Sequence, residues 1–444
     1  MDRIKLSADR EYFLGENNTF KVEKGDESAV LFYDNKVRVL KSSGIITIKD
    51  KDNRQIEIDT DCVINKPYDY KDTIVSCVLD RKDFLKIADI STINEVIKNG
   101  GQFYNEKGQA ESVYLLLKKG GYNVIRLRLW NDPKGKDGVE YGGGNNDLEQ
   151  DLSIAKVAYA LGFDIMLDFH YSDFWADPAS QRIPKEWESV KSSNELARKV
   201  EDFTYSTLKT FLDNGIFVRY VQVGNEITNG MMSQPSIKTK KNKLPFKISG
   251  GYYTFNFKKY IRAGIRGVRK LDKNIKTIIH IDRGADAKTS MKFYNRIRDI
   301  DYDIIALSYY PFFHGKLSEL KKTLNAVSEF NKPIIVVETS YAFTDKPHEN
   351  LESVFSGVDN KMKYYEISPQ GQINMLCDIT KSLLEVKNNL GLGIAYWEPC
   401  WLPVKNAGWS KPGTLASWSD QGVFDYDGMC LPSLYAFTLM EKNN

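Results

Sequence analysis

From about Leu85 onward the sequence alternates between short apolar, β-branched runs and longer segments of helical period. The runs are Leu85–Ile90, Val124–Trp130, Asp164–Phe169, Tyr220–Val223, Thr277–Ile281, Ile304–Tyr309, Pro333–Val337 and Leu392–Trp397, eight in all. Helical stretches include Asp151–Leu161, Phe255–Lys270, Leu317–Phe330 and Gln372–Lys387, and Leu434–Met440 follows the last run. Strand followed by helix, repeated, demands parallel strands with right-handed crossovers. Eight such units close into a (β/α)8 TIM barrel of the α/β class. The competing fold is an open doubly wound sheet, which usually has fewer strands and often a Gly-rich phosphate loop after the first. Here Ile90 leads into Ser91-Thr92-Ile93-Asn94, which is no phosphate loop, and the glycines at 142–144 follow no strand directly.

The first ~80 residues follow another rhythm. Short strand-like runs (Thr19–Val22, Ala29–Tyr33, Val37–Leu40, Gly44–Ile48, Ile56–Ile58) are separated by turn residues such as Asp34-Asn35 and Asp52-Asn53. This predicts a small N-terminal all-β, sandwich-like module over residues 1–82, with the barrel over residues 83–444. A chain of 444 residues suits that combination. The module serves as a spacer, a docking surface or a weak glycan-binding unit, and a spacer is the default reading.

Composition excludes several function classes. Lys plus Arg exceed Asp plus Glu by 62 − 59 = 3, and the basic cluster Lys238–Lys243 reads as a solvated loop, so no nucleic-acid partner is expected. No apolar run approaches the roughly 18 residues of a membrane span. The five cysteines (Cys62, Cys77, Cys377, Cys400, Cys430) form no CxxC pair and no zinc pattern. There is no HExxH, no GxSxG elbow and no Walker loop. The N-terminal residues lack the apolar core of an export signal.

In a barrel of this kind, chemistry sits at the C-terminal ends of the strands. Those ends carry Asp89; Arg126, Arg128 and Trp130; Asp168 and His170; Asn225 and Glu226; His280 and Asp282; Tyr309 and Tyr310; Glu338; and Trp397 with Glu398. Such groups are costly at the mouth of an apolar core unless used or paired. Two carboxylates on facing strands can flank a glycosidic bond, one protonated to release the leaving oxygen and one ionised to attack the anomeric carbon. Glu226 on the fourth strand and Glu338 on the seventh meet that requirement. A gap of roughly 5–5.5 Å between them gives retention, and a wider one gives inversion. Asn225 can hold a sugar 2-hydroxyl, Arg126 can keep Glu338 ionised, His170 can bond the sugar, and Trp175, Trp397 and Trp401 can stack on sugar rings. Each has an ordinary alternative: a lone Glu after a strand is usually salt-bridged or capping, a strand Arg is structurally paired as often as it is catalytic, and a Trp is more often core.

At these residues the chain resembles a known family. The segments are Ala88-Asp89-Ile90-Ser91, Asn123 to Pro133, Leu167-Asp168-Phe169-His170-Tyr171-Ser172-Asp173-Phe174-Trp175-Ala176-Asp177-Pro178, Val223-Gly224-Asn225-Glu226-Ile227, Ser308-Tyr309-Tyr310-Pro311-Phe312, Val336-Val337-Glu338-Thr339 and Tyr396-Trp397-Glu398-Pro399. Together they resemble glycoside hydrolase family 53, the arabinogalactan endo-β-1,4-galactanases of the clan A barrels. The resemblance implies retaining endo-hydrolysis of β-1,4-galactan, with Glu226 as acid/base and Glu338 as nucleophile. It implies support from Arg126, Asn225, His170 and Trp397, and substrate contact at Asp89 and Trp175. Trp130, Asp168, Asp177, Asp282, Tyr309, Trp397 and Trp401 are further candidates for substrate binding. No cofactor is required for catalysis. A structural calcium between the loops after the seventh and eighth strands would draw on Asp345, His348, Asn350, Ser417 and Ser419, fewer acidic groups than a hard cation prefers. The motif after Glu226 departs from the family: Gly230-Met231-Met232-Ser233-Gln234-Pro235 leads into a Lys-rich insertion, which leaves subsite number open. A polymer substrate implies a secreted, periplasmic or cell-surface enzyme. A clan A glycanase acting on mannan, xylan or β-glucan, and a non-catalytic galactan-binding protein, are the other readings.

Overall fold

The computed structural model describes residues 2–15, 19–60, 65–68, 70, 73–233, 247–349, 351–411 and 413–442. The Lys-rich cluster, Asn350 and Cys62 lie outside them. The other four cysteines are buried free thiols.

The N-terminal module is built from β1 (Asp2–Leu6), β2 (Glu11–Phe13), β3 (Phe20–Lys24), β4 (Val30–Tyr33), β5 (Lys36–Val39), β6 (Gly44–Asp50) and β7 (Gln55–Thr60). They form one sheet in the order β1-β7-β6-β3 and another in the order β2-β5-β4. Every second residue points inward. Val37 and Val39 from one sheet meet Ile46, Ile48, Ile56 and Ile58 from the other in a small core.

A polar seam joins this module to the barrel. Asp9 is buried and accepts from the Ser112 hydroxyl (2.7 Å) and the Val113 amide (2.8 Å). These groups open the barrel helix Val113–Lys119, so a carboxylate from the module caps that helix, a contact of about 1 kcal/mol. Arg38 pairs with the same Asp9 at 3.3 Å. A free spacer would make no such contacts; the module is docked on the barrel wall.

The barrel strands are β8 (Leu85–Asp89), β9 (Val124–Leu129), β10 (Asp164–Phe169), β11 (Val218–Val223), β12 (Lys276–Ile281), β13 (Ile304–Ser308), β14 (Ile334–Thr339) and β15 (Gly391–Trp397). All pair in parallel, and β15 closes on β8. Side-chain oxygens stop the helices at their starts: Asp147 caps Leu148–Ala160, Ser192 caps Ser193–Asp213, Asp286 caps Ala287–Arg296, and Ser368 caps Pro369–Leu384.

The inward-facing residues are layered. Toward the strand starts they are apolar: Ile87, Val124, Met166, Ile278, Ile304, Ala306, Ile335, Val337 and Ala395 share one core. The next inward positions are polar on most strands: Asp89, Arg126, Asp168, Gln222, His280 and Ser308, all buried. Strand β14 joins this layer through an irregularity. Its pairing shifts register between Val336 and Thr339. Val337 packs in the interior, Thr339 reaches the sulfur of Met375 on an outer helix, and Glu338 between them turns in to meet Arg126. Strict alternation would have placed Glu338 outside; the bulge brings it to the mouth.

Candidate active site

Arg126 organises the mouth. Its Nη1 donates to Asp89 at 2.6 Å, and its Nη2 donates to Asp168 at 2.8 Å and to Glu338 Oε1 at 3.0 Å. One guanidinium thus faces three buried carboxylates. Burial pushes Asp168 up, but Arg126 and then His170 more than offset it, and the carboxyl lies below its usual value. Glu338 also accepts from the Tyr310 hydroxyl through Oε2, at 3.2 Å. Burial raises Glu338 to about 7, with Arg126 pulling it down and the charges of Asp168 and Asp89 pulling up.

Glu226 follows β11 in a different setting. It adopts a left-handed backbone (φ 47°) after Gly224 (φ 86°), a turn that side-chain-bearing residues enter only under constraint. Its carboxyl accepts from the Ser308 hydroxyl at 2.6 Å and has no cationic partner among the described residues. Burial, then the charge of Glu338, then that of Asp282, push it well above the ordinary carboxylate range. Of the two carboxyls, Glu226 holds a proton more firmly, because only Glu338 has an arginine against it.

Asn225 is fixed on both ends. Its Oδ1 faces Arg126 and Gln222, and one Nδ2 hydrogen goes to the Ala176 carbonyl at 2.8 Å, leaving the second for a ligand hydroxyl. His170 Nδ1 accepts from the Trp130 indole and the Ala176 amide, both at 3.1 Å. That places its proton on Nε2, 3.2 Å from Asp168.

These groups open into a cleft of about 500 Å³, lined also by Asp177, Asp282, Phe313 and indoles. Trp175, Trp397, Trp409 and Trp418 all reach it. Arg128 lies under Trp175, 4.2 Å from the ring centroid, and pairs with Glu398. Trp397 stacks on Trp409 with centroids 5.8 Å apart. Flat apolar faces beside fixed polar groups are what a sugar ring presents a partner for.

Several sequence expectations change. Tyr309 points away, donating to the Gly315 carbonyl at 2.9 Å; the chain turns into the short helix Pro311–His314 just after it, and Tyr310 is the phenol that reaches the cleft. Asp89, Trp130 and Trp401 are fully buried, lie outside the cleft lining and hold other residues: Asp89 holds Arg126, Trp130 holds His170, and Trp401 packs on Trp175 at 6.4 Å. Trp409, Trp418, Gln222 and Ser308 were missed. Of the residues read as metal ligands, Asp345 is exposed, Ser417 accepts from the Trp409 indole at 2.9 Å, and Ser419 is buried in the turn Ser419–Gln421. His348 lies edge-on to Tyr426 with Nδ1 buried and unpartnered. Between the same two loops Asp420 also has a buried, unpartnered oxygen, and burial pushes it to about 7 although the Ser353 hydroxyl donates to it. Among the described residues no three His, Cys, Asp or Glu side chains converge as a metal-binding group.

A parallel eight-stranded barrel whose mouth holds two unlike carboxyls in an indole-lined cleft is the architecture of a glycosidase. The family model for glycosyl hydrolase family 53 matches residues 85–437, and the chain belongs to that family. An endo-β-1,4-galactanase of Bacillus subtilis (strain 168) is 34% identical over 394 residues, covering 82% of this chain and 87% of that protein. An arabinogalactan endo-β-1,4-galactanase of Humicola insolens is 29% identical over 363 residues, covering 79% and 98%. The solved GH53 catalytic domain of Ignisphaera aggregans superposes with a TM-score of 0.76 at 34% identity, covering 83% of this chain and 99% of that one. The matched region begins at β8, after the N-terminal module.

Proposed function

We propose that this chain is a retaining endo-β-1,4-galactanase that cuts the galactan side chains of pectin outside the cytoplasm. The observation that carries the reading is the asymmetry of the two glutamates: Arg126 lies 3.0 Å from Glu338, and the Ser308 hydroxyl is the partner of Glu226. The galactan part is supported by the names of the family relatives. In the first step Glu226 gives its proton to the glycosidic oxygen while Glu338 attacks the anomeric carbon, and the leaving sugar departs. Forming the ester removes the charge of Glu338, the second largest cause of Glu226's raised pKa. Glu226 then becomes a better-ionised base, takes a proton from water, and water displaces Glu338. The free Asn225 amide hydrogen holds the 2-hydroxyl, and His170 and the indoles seat the rings.

Incubation with potato galactan, arabinogalactan, mannan and xylan tests this. New reducing ends are expected on galactan, with the β-anomer appearing first by proton NMR. Preference for mannan or xylan would favour the clan A alternative, no hydrolysis with retained galactan binding would favour a binding protein, and first-formed α-anomer would reject retention.

The reading includes a structural calcium between the loops after β14 and β15, outside the catalytic steps. Asp420 fits it, as an oxygen donor whose buried Oδ1 has no protein partner. Chelation is expected to lower the melting temperature by roughly 5 °C while leaving activity at ambient temperature unchanged, and Asp420→Asn to erase that difference. An unchanged melting temperature on chelation would reject the site. Among the described residues no helix is long and apolar enough to cross a membrane.

A further inference from the structure

Three buried groups behind Glu226 form a chain whose direction can be read. The backbone N–H of Glu226 points at His280 Nδ1, 3.3 Å away. The Gln222 amide nitrogen lies 3.0 Å from the same atom. Asn225 Oδ1 also stands 3.0 Å from Nδ1, but that oxygen already accepts from Arg126 and Gln222, and the Glu226 backbone N–H is fixed and aimed at Nδ1, so Nδ1 accepts and the imidazole proton is on Nε2. His280 Nε2 is 2.8 Å from the Ser308 hydroxyl oxygen, and burial, reinforced by the charge of Arg126, keeps the ring neutral. The Ser308 oxygen therefore receives a hydrogen from His280, and its own hydrogen is free for Glu226 Oε1, 2.6 Å away.

We propose that Ser308 is a positioning residue for the acid/base: oriented by His280, it donates to Glu226 Oε1, directs the acidic proton to Oε2, and holds the ionised carboxylate during the second step. This rests on the reading of Glu226 as acid/base and deepens it. Oε2 has no protein partner among the described residues, and Glu226 lines the cleft, so the proton stands where a glycosidic oxygen can take it. The position of Ser308 is itself constrained. Its carbonyl accepts from the Gly284 amide at 3.1 Å, and a Cβ on Gly284 would stand 2.4 Å from that carbonyl oxygen; glycine is what lets the two backbones meet. The β13–β14 register also shifts between Leu307 and Ser308, beside the bulge that presents Glu338. One irregular corner of the barrel thus sets both carboxyls.

The test compares kcat/KM against pH for the intact chain, Ser308→Ala, Ser308→Thr and Glu226→Gln, on galactan and on a dinitrophenyl β-galactobioside, whose leaving group needs no proton. A hydrogen bond to the charged form of Glu226 favours that form, so losing it moves the alkaline limb of the profile to higher pH. Ser308→Ala is expected to lose about ten-fold in kcat/KM on galactan, to shift that limb upward, and to form the glycosyl-enzyme from the dinitrophenyl substrate at close to the original rate, which also reports a folded site. Ser308→Thr keeps a hydroxyl and is expected to restore the limb. An equal loss on both substrates with an unmoved limb would overturn the proposal, leaving Ser308 merely structural. A Glu226→Gln variant that still cuts galactan at the original rate would instead reject the acid/base reading beneath it.

Discussion

Replacing Glu338 with alanine is expected to lower galactan hydrolysis on the order of 10⁴-fold or more, since no covalent intermediate can form. The decisive readout is stereochemical. With the carboxylate gone and Glu226 intact, azide can enter on the face that Glu338 occupied, and a single displacement gives the α-galactosyl azide. In Glu226→Ala, Glu338 still forms its ester from an activated substrate, and azide arrives from the opposite face to give the β-azide. The two glutamates differ in partners, Arg126 and Tyr310 on one and Ser308 on the other, and the two products should differ accordingly. Identical azide anomers from both variants, or substantial hydrolysis by Glu338→Ala, would reject the assignment.

The second large effect belongs to Arg126. Arg126→Met removes the cation shared by Asp89, Asp168 and Glu338, leaving buried carboxylates uncompensated at a cost of about 3–5 kcal/mol. The pH dependence follows from Asp168. Its folded pKa is depressed below the ordinary value, so its stabilising contribution is present above that ordinary value and is lost as pH falls through the folded one. The deficit of Arg126→Met should therefore be full near neutrality and shrink toward acid. Glu338, already raised to about 7, would rise further, moving the acid limb of residual activity to higher pH. Melting and activity profiles across pH check both, and wild-type melting with an unmoved limb would refute the role given to Arg126.

The barrel was legible because parallel strands buried on both faces must be short, apolar and β-branched, and eight of them stood out. The catalytic pair was legible because two glutamates stood just past facing strands, one of them behind an asparagine, whereas a lone one is more often paired or capping. Gln222 and Ser308 were harder, and His280, read at a strand end, was given no role. They lie inside β11, β12 and β13, and the signal that exposes them is phase: each is two residues on from an inward apolar position, as Gln222 is from Tyr220 and His280 from Ile278. Reading strand ends alone hides that alternation. Tyr309 misled because the strand gives way to a turn there, and past the last paired residue the period of two no longer says which side chain faces in. Trp409 and Trp418 sit in the long segment after β15, where no period exists, and only folding places them beside Trp397. The helix Ser193–Asp213 went unread although its buried residues, among them Leu196, Val200, Leu208 and Phe211, recur at helical spacing behind a serine cap.

The bulge in β14 gives the nucleophile an unusual dependence on residue count. Glu338 faces the cleft because one more residue is threaded between Val336 and Thr339 than a regular ladder accommodates. A regular ladder that kept Val337 in the interior would instead turn the carboxyl toward the helix that holds Met375. In this barrel the register of one strand works as an address: the extra residue decides that the mouth is reached by Glu338 as well as by Val337.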